Sequence, residues 1–194
     1  GTITVPNLGI QNMTGIEAFI NITALVCNNN PLTSGLNVSA NTKLVQLVCN
    51  NNNLSSLDVS NNTALTTLYC YSNSLSSLDV TNNISLFALY CYANNLNSLD
   101  VTNNTSLSQL SCFSNSIPLL ELNNCTNLTL LNCANNPITG LDLTENTLLN
   151  SLTLNNTQIE TIDLVANTAL QFFTDNGGAL TSLDLSANSA LTVV

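Results

Sequence analysis

Three kinds of side chain able to do chemistry (thiols, carboxylates and hydroxyls) recur along this chain at a fixed interval. A fourth, the tyrosine phenol, does not. Six of the seven cysteines, Cys27, Cys49, Cys70, Cys91, Cys112 and Cys133, follow one another at a nearly constant spacing, and Cys125 lies off the series. Thiols at equal positions of stacked units have parallel Cβ vectors, which suits a disulfide badly. They also spread along a line, whereas a metal needs three or four ligands converging on one point. One interval after Cys133 stands Leu154. Each thiol is therefore expected to be free and buried, a small hydrophobe with a weak donor, and the redox compartment is not read from it.

The acidic series is Asp58, Asp79, Asp100, Glu121, Asp142, Asp163 and Asp184, seven of the 11 acids. Calcium would need six to eight oxygen ligands, and no dense D-x-D-x-D loop or glycine-rich calcium repeat is present. The expected role is for each carboxylate to accept N–H groups within its own turn. Like charges one strand apart should raise one another's pKa. The hydroxyl series Thr42, Thr63, Thr105, Thr126, Thr147, Thr168 and Ser189 is interrupted by Ile84. Such a row resembles an ice-binding surface, although Thr is common in any exposed extended segment. Catalysis has no candidates: there is no His, the one Lys+Arg residue is Lys43, and neither a nucleophile elbow nor a phosphate loop occurs. No catalytic residue, metal or cofactor is expected, and the chain does not read as an enzyme.

The aromatics behave differently. All four tyrosines, Tyr69, Tyr71, Tyr90 and Tyr92, fall in two consecutive intervals, with Phe87 and Phe113 close by. The matching positions elsewhere hold Ser111, Asn132, Thr153 and Thr174. Aromatic neighbours could simply stabilise cross-strand pairs by roughly 0.2–1 kcal/mol each. Concentrated and exposed, they mark a binding surface. These six are the candidate ligand-binding residues, acting through stacking and apolar burial.

The element that must position all of these is one repeated unit. LDVSNNTALTTLYCYSNSLSS begins at Leu57, and Leu78 and Leu99 restart it as LDVTNNISLFALYCYANNLNS and LDVTNNTSLSQLSCFSNSIPL. Units begin at Leu36, Leu57, Leu78, Leu99, Leu120, Leu141, Ile162 and Leu183, always at the same 21-residue interval. The stretch 1–35 is irregular, with a 22-residue spacing, and the last unit of 36–194 is truncated. A fixed period in this range means one coil stacked on the next, since a single coil cannot bury its own leucines. Leu65-x-x-Leu68-x-Cys70 reads as a strand with Leu68 and Cys70 inward, which turns Tyr69 outward and places Tyr71 at the strand's exit. Thr14 to Phe19 reads as a turn or short helical piece covering the first coil. Asn30, Asn52, Asn73, Asn94, Asn115 and Asn136 fall where the chain turns, a place where Asn tolerates left-handed backbone. Asn41, Asn62, Asn83, Asn104, Asn146, Asn167 and Asn188 form a second series, broken by Cys125, with the same expected role of satisfying turn groups. The many Asn-x-Ser/Thr sequons arise from the repeat itself. Eight to nine coils at about 4.7–4.9 Å per strand make a rod on the order of 40 Å long.

Composition narrows the partners. Charged residues are 6% of the chain and the net charge is -10, so nucleic acid and an acidic membrane surface are excluded as partners. The 44% hydrophobic content is too high for disorder, and no apolar run approaches the roughly 18 residues of a membrane helix. No targeting peptide opens the chain, and its first residue, Gly1, suggests a processed or excised segment.

The string L-x-x-L-x-C-x-x-N-x-L-x-x-L-D-V resembles a leucine-rich repeat with Cys in place of one consensus Leu. It is similar to the cysteine-bearing 21-residue repeats of internalin-like bacterial surface proteins, and Met13 to Phe19 resembles the lead-in of such arrays. The resemblance implies a single leucine-rich repeat solenoid over 1–194. Its parts would be a right-handed superhelix, a parallel β-sheet on the concave face, extended or short 3-10 segments on the convex side, and little α-helix. It also implies a secreted or cell-surface recognition or adhesion module, extracellular, binding a protein or glycan on its concave face. The rival expectation is a structural subunit of an extracellular fibre, because the apolar Leu191-Thr192-Val193-Val194 and the weak opening cap suggest self-association through the chain ends. Ice binding is a third. With so little charge, association should depend little on salt.

Overall fold

The computed structural model describes residues 1–192; Val193 and Val194, the end of the run invoked for self-association, lie outside the described residues. Among the described residues nine strands of three residues each form one parallel sheet in strict chain order. They are β1 (Thr2–Thr4), β2 (Ala24–Val26), β3 (Gln46–Val48), β4 (Thr67–Tyr69), β5 (Ala88–Tyr90), β6 (Gln109–Ser111), β7 (Leu130–Asn132), β8 (Ser151–Thr153) and β9 (Phe172–Thr174). Thr2 pairs with Ala24 and Ala24 with Gln46, keeping the longer spacing of the opening stretch. From the pairing of Gln46 with Thr67 onward each step is one residue shorter, the strict period of the later units. The one helix among the described residues is a 3-10 turn at Ile16–Ala18, within the segment expected to cover the first coil. The fold is a leucine-rich repeat solenoid.

The strand is shorter than the pattern Leu65 to Cys70 suggests, for a geometric reason. Leu65 belongs to the preceding turn, where its N–H donates to Asn62 O at 3.0 Å. Cys70 lies past the strand, yet its N–H still donates to Tyr90 O of the next coil at 2.9 Å, as Ser72 N–H does to Tyr92 O. Hydrogen bonding between coils thus runs on beyond the strand, while the inward alternation places Leu68, Cys70, Leu75, Leu78, Val80, Leu86 and Leu89 in one continuous buried core. Each fully buried Leu contributes about 1.5–3 kcal/mol. Truncating one, as in Leu68→Ala, costs about 2–5 kcal/mol because the neighbouring coils cannot collapse into the gap.

Two asparagine ladders close the coils, and they differ. In the first, Asn94 Nδ2 donates to Cys70 O, Cys91 O and Tyr92 O at 3.1, 3.0 and 3.3 Å, and its Oδ1 accepts Leu75 N–H at 3.0 Å. Asn73 and Asn115 repeat the pattern, so both ends of the amide are used. In the second, Asn83 Nδ2 donates to Val59 O and Asn62 O at 3.0 and 2.9 Å. The Oδ1 atoms of Asn41, Asn62, Asn83, Asn104, Asn146, Asn167 and Asn188, however, are buried without a partner. The expectation that both ladders satisfy turn groups in the same way therefore needs correction: the second donates and does not accept. Cys125, in that ladder, offers only thiol contacts to Val101 O at 3.5 Å and Asn104 O at 3.9 Å.

The left-handed turn residue is also displaced from its expected place. It is not the ladder Asn: at Asn29, Asn51, Ser72, Ala93, Ser114 and Asn135 it is the residue before it, and Asn156, which precedes Thr157, bends the same way, all with φ between 52° and 57°. The ladder amide donates to the two carbonyls just before the bend, as Asn94 does to Cys91 O and Tyr92 O ahead of Ala93, and Asn156 makes the same bend with Thr157 in the ladder place.

Candidate recognition surface

Strand alternation turns Tyr69 and Tyr90 outward from β4 and β5, and the shared register brings them side by side. Their rings stack with centroids 4.7 Å apart and planes inclined by 20°. At the strand exits Tyr71, Tyr92 and Phe113 form a second column, with centroids 4.3 and 4.2 Å apart and planes within 12°. The spacing is close to that of adjacent strands, so the coils themselves set the stack. Tyr90 OH donates to Gln109 Oε1 at 2.9 Å, anchoring its tip to β6. Burial, followed by the neighbouring Tyr71 and Tyr90 hydroxyls, pushes the Tyr92 hydroxyl up to about 12. Burial raises Tyr90 as well, so both Tyr90 and Tyr92 are neutral donors at any physiological pH.

Five of the six predicted residues are thus brought together in two adjoining columns. Phe87 is not among them. It precedes β5, on the opposite side of the strand from Tyr92, and makes no ring stack. The geometry also changes what the columns can do. Both faces of Tyr92 are covered, by Tyr71 and Phe113. What the surface presents is a comb of ring edges and hydroxyls, and an aromatic edge carries positive partial charge. Outward and exit positions of the other coils hold neutral residues, mostly polar (Gln46, Asn132, Thr153 and Asn155) with Val48, Leu130 and the exposed Phe172 among them, and no ionisable side chain other than tyrosine occupies these columns.

The thiols and the aspartates of the acidic series have structural roles. All seven cysteines are free and buried. Burial raises their pKa values, to about 12 for Cys27 and Cys133 and about 11 for Cys125. The cysteine column ends past Leu154 at Asp175, whose pKa burial also raises. Each aspartate of the acidic series accepts the N–H two residues on, as Asp79 does from Thr81 N at 2.9 Å and Thr81 Oγ1 at 2.6 Å. These bonds hold Asp58, Asp79, Asp100, Asp142 and Asp184 below the ordinary carboxylate value. The expected upward shift from mutual repulsion is overturned. At Asp79 the repulsion from Asp58 and Asp100 is present but outweighed, because solvent screens it and the hydrogen bonds act at contact. Among the described residues no group of three or more His, Cys, Asp or Glu could hold a metal ion. Among the same residues no helix is long and apolar enough to cross a membrane. The hydroxyl row is exposed along its length. Sequence reasoning passed over Ile84, which it registered only as a break in that row; the signal was a large apolar residue where every other regular coil has Thr or Ser.

No protein-family model matches the chain, and no curated protein matches it. Solved structures do. The functional domain of InlJ from Listeria monocytogenes, which includes a cysteine ladder, is 29% identical over 100% of this chain and 57% of its own, with a TM-score of 0.51. The internalin InlF of Listeria monocytogenes is 21% identical over 95% of this chain and 57% of its own, TM-score 0.87. A leucine-rich repeat protein of Leptospira interrogans is 22% identical over 99% and 53%, TM-score 0.88. The chain spans little more than half the length of these proteins, and at such identities the last two speak for the fold alone.

Proposed function

We propose that this leucine-rich repeat solenoid is a non-enzymatic recognition module, secreted or displayed on a cell surface, that binds a protein partner through the tyrosine-bearing part of its concave sheet. The observation that carries this is the confinement of all four tyrosines to two coils, at outward positions where stacking of the core demands nothing. Surrounded by Ser, Thr and Asn, they have the composition of antibody paratopes, where Tyr supplies rigid amphipathic area at low entropy cost and short polar residues supply hydrogen bonds. A glycan is the other partner class, but a sugar packs on an open aromatic face, and here the inner ring of the longer column has none. A neutral comb of donors and ring edges suits backbone carbonyls and apolar side chains. Binding should depend little on ionic strength, because no formal charge stands on this surface.

The test is a peptide array and a glycan array probed with the wild-type chain and with Tyr69→Thr/Tyr90→Ser, which installs residues that other coils carry. Binding to peptides, unchanged between low and high salt and lost in the variant, is the expected result. Binding confined to glycans, or equal for both proteins, refutes the protein reading.

A further inference from the structure

The coil 78–98 departs from its neighbours more than the tyrosines alone account for. Where the other regular coils place Thr or Ser it has Ile84, a match only to Ile20 of the opening coil, and where they place Thr, Ser, Val, Asn or Gln it has Phe87. Ile84 is 59% and Phe87 50% exposed. Neither exposure reflects a loose backbone. Ile84 rides on two successive turns, closed by Asn83 N–H to Val80 O at 2.9 Å and Leu86 N–H to Asn83 O at 3.0 Å. Asn83 in turn is pinned to the preceding coil through its amide. Phe87 N–H donates to Thr66 O at 2.8 Å, and Phe87 O accepts Ser108 N–H and Gln109 N–H at 2.9 and 3.0 Å, so its backbone is tied to the coils on both sides. Two large apolar groups are thus held out toward water on a fixed frame, and solvation opposes both.

We infer that the partner's footprint does not stop at the sheet. It continues from Tyr92 and Tyr90 over the leading edge of β5 to Phe87 and Ile84, and the partner there is an uncharged, apolar protein surface that wraps this rim. This rests on the recognition reading given above. Ile84, Phe87, Tyr90 and Tyr92 follow one another along a single coil, whose backbone from the first to the last spans at most about 28 Å, within the reach of a standard protein interface. The charge distribution selects the occupant. The acidic series is carried by Asp79 and its equivalents in the turns before this edge, so a cationic partner would be drawn there, whereas the band itself bears no ionisable group except its tyrosines. Because the side chains stand on a preorganised backbone, little ordering cost opposes binding.

The experiment selects a displayed library of random peptides on the immobilised wild-type chain, then measures the selected peptides on two variants. Ile84→Thr/Phe87→Ser returns the rim to residues that other coils carry, so its urea midpoint should match or exceed that of the wild type. Tyr90→Ser/Tyr92→Ala does the same for the sheet. The inference expects uncharged apolar peptides whose affinity falls at least tenfold on each variant, the scale of a truncated interface anchor. Peptides that weaken only on the tyrosine variant overturn the rim and leave the sheet reading standing. Peptides indifferent to both variants, or a selection that yields none, overturn both. Basic peptides whose binding collapses with salt overturn the choice of partner.

Discussion

Replacing Asn94 and Asn83 by alanine, one from each ladder of the same coil, removes the same atoms from two buried sites and should give very different losses. At Asn94 the alanine deletes the three Nδ2 bonds and leaves Leu75 N–H with no other acceptor among the described residues. The carbonyls fare better: Cys70 O keeps Asn73, Cys91 O keeps Asn115 and Tyr92 O keeps Ser72 N–H. A buried orphan donor costs about 1–3 kcal/mol and each lost bond about 1 kcal/mol, so Asn94→Ala should lose about 4–6 kcal/mol. At Asn83 two bonds go, yet Val59 O and Asn62 O retain the turn N–H groups of Asn62 and Leu65. The alanine also removes an Oδ1 that was buried without a partner, recovering about 1–3 kcal/mol. Asn83→Ala should therefore shift stability by no more than about 1 kcal/mol in either direction before the cavity term, which is similar for both. Equilibrium urea unfolding, with the slope checked for constancy between variants, measures the gap. A gap below about 1 kcal/mol, or a larger loss at Asn83, refutes the claim that the two ladders are different machines.

Other outcomes follow from the same geometry. Ala93 has φ 52°, so Ala93→Gly should raise the urea midpoint, the relief of about 1–2 kcal/mol exceeding the roughly 0.5–1 kcal/mol of added backbone entropy; an unchanged or lower midpoint would show the bend is not strained. An aromatic disulfide reagent at mildly alkaline pH should label none of the seven thiols in the native chain and all of them in denaturant. Prompt labelling of Cys125 in the folded protein would contradict its burial. Because Asp79 is held below the ordinary value of 3.8, the stability it contributes is complete above that value and lost as pH falls through the lower folded one. Asp79→Asn should keep the turn, as Asn37 does by accepting Ser39 N–H at 3.1 Å, and should flatten the acid limb of a stability–pH curve; an identical acid limb in the variant would remove Asp79 as its cause.

The core was legible because stacking converts a column of sequence into a line in space. Leu68, Cys70 and Asn73 each repeat, and each takes the place its column implies. What escaped the sequence was decided within a short reach by backbone direction. The left-handed position holds Asn51, Ser72 and Ala93 with nearly the same φ, so residue type carries no signal for it. The direction of the Asp79 shift depended on whether Thr81 N–H and Oγ1 both reached the carboxylate, which a period cannot reveal. At the surface the tyrosines announced themselves by breaking the pattern. That Tyr71 and Phe113 would cover both faces of Tyr92, leaving edges to a partner, required the ring planes.

The register of the sheet has a bearing on how the chain comes to be folded at all. Every pair of adjacent strands is offset by a single period, and the ladder bonds between coils span sequence separations of 19 to 25. Set against a chain of 194 residues, that separation gives a relative contact order of about 0.11, in the range of helical bundles and below that of β-sandwiches. The entropy of closing each coil is the same from one end to the other, since it depends on the loop of one period and not on the length of the array. A fully parallel β-sheet, ordinarily slow to assemble, is here reached by a succession of equal short closures, any one of which can seed its neighbours.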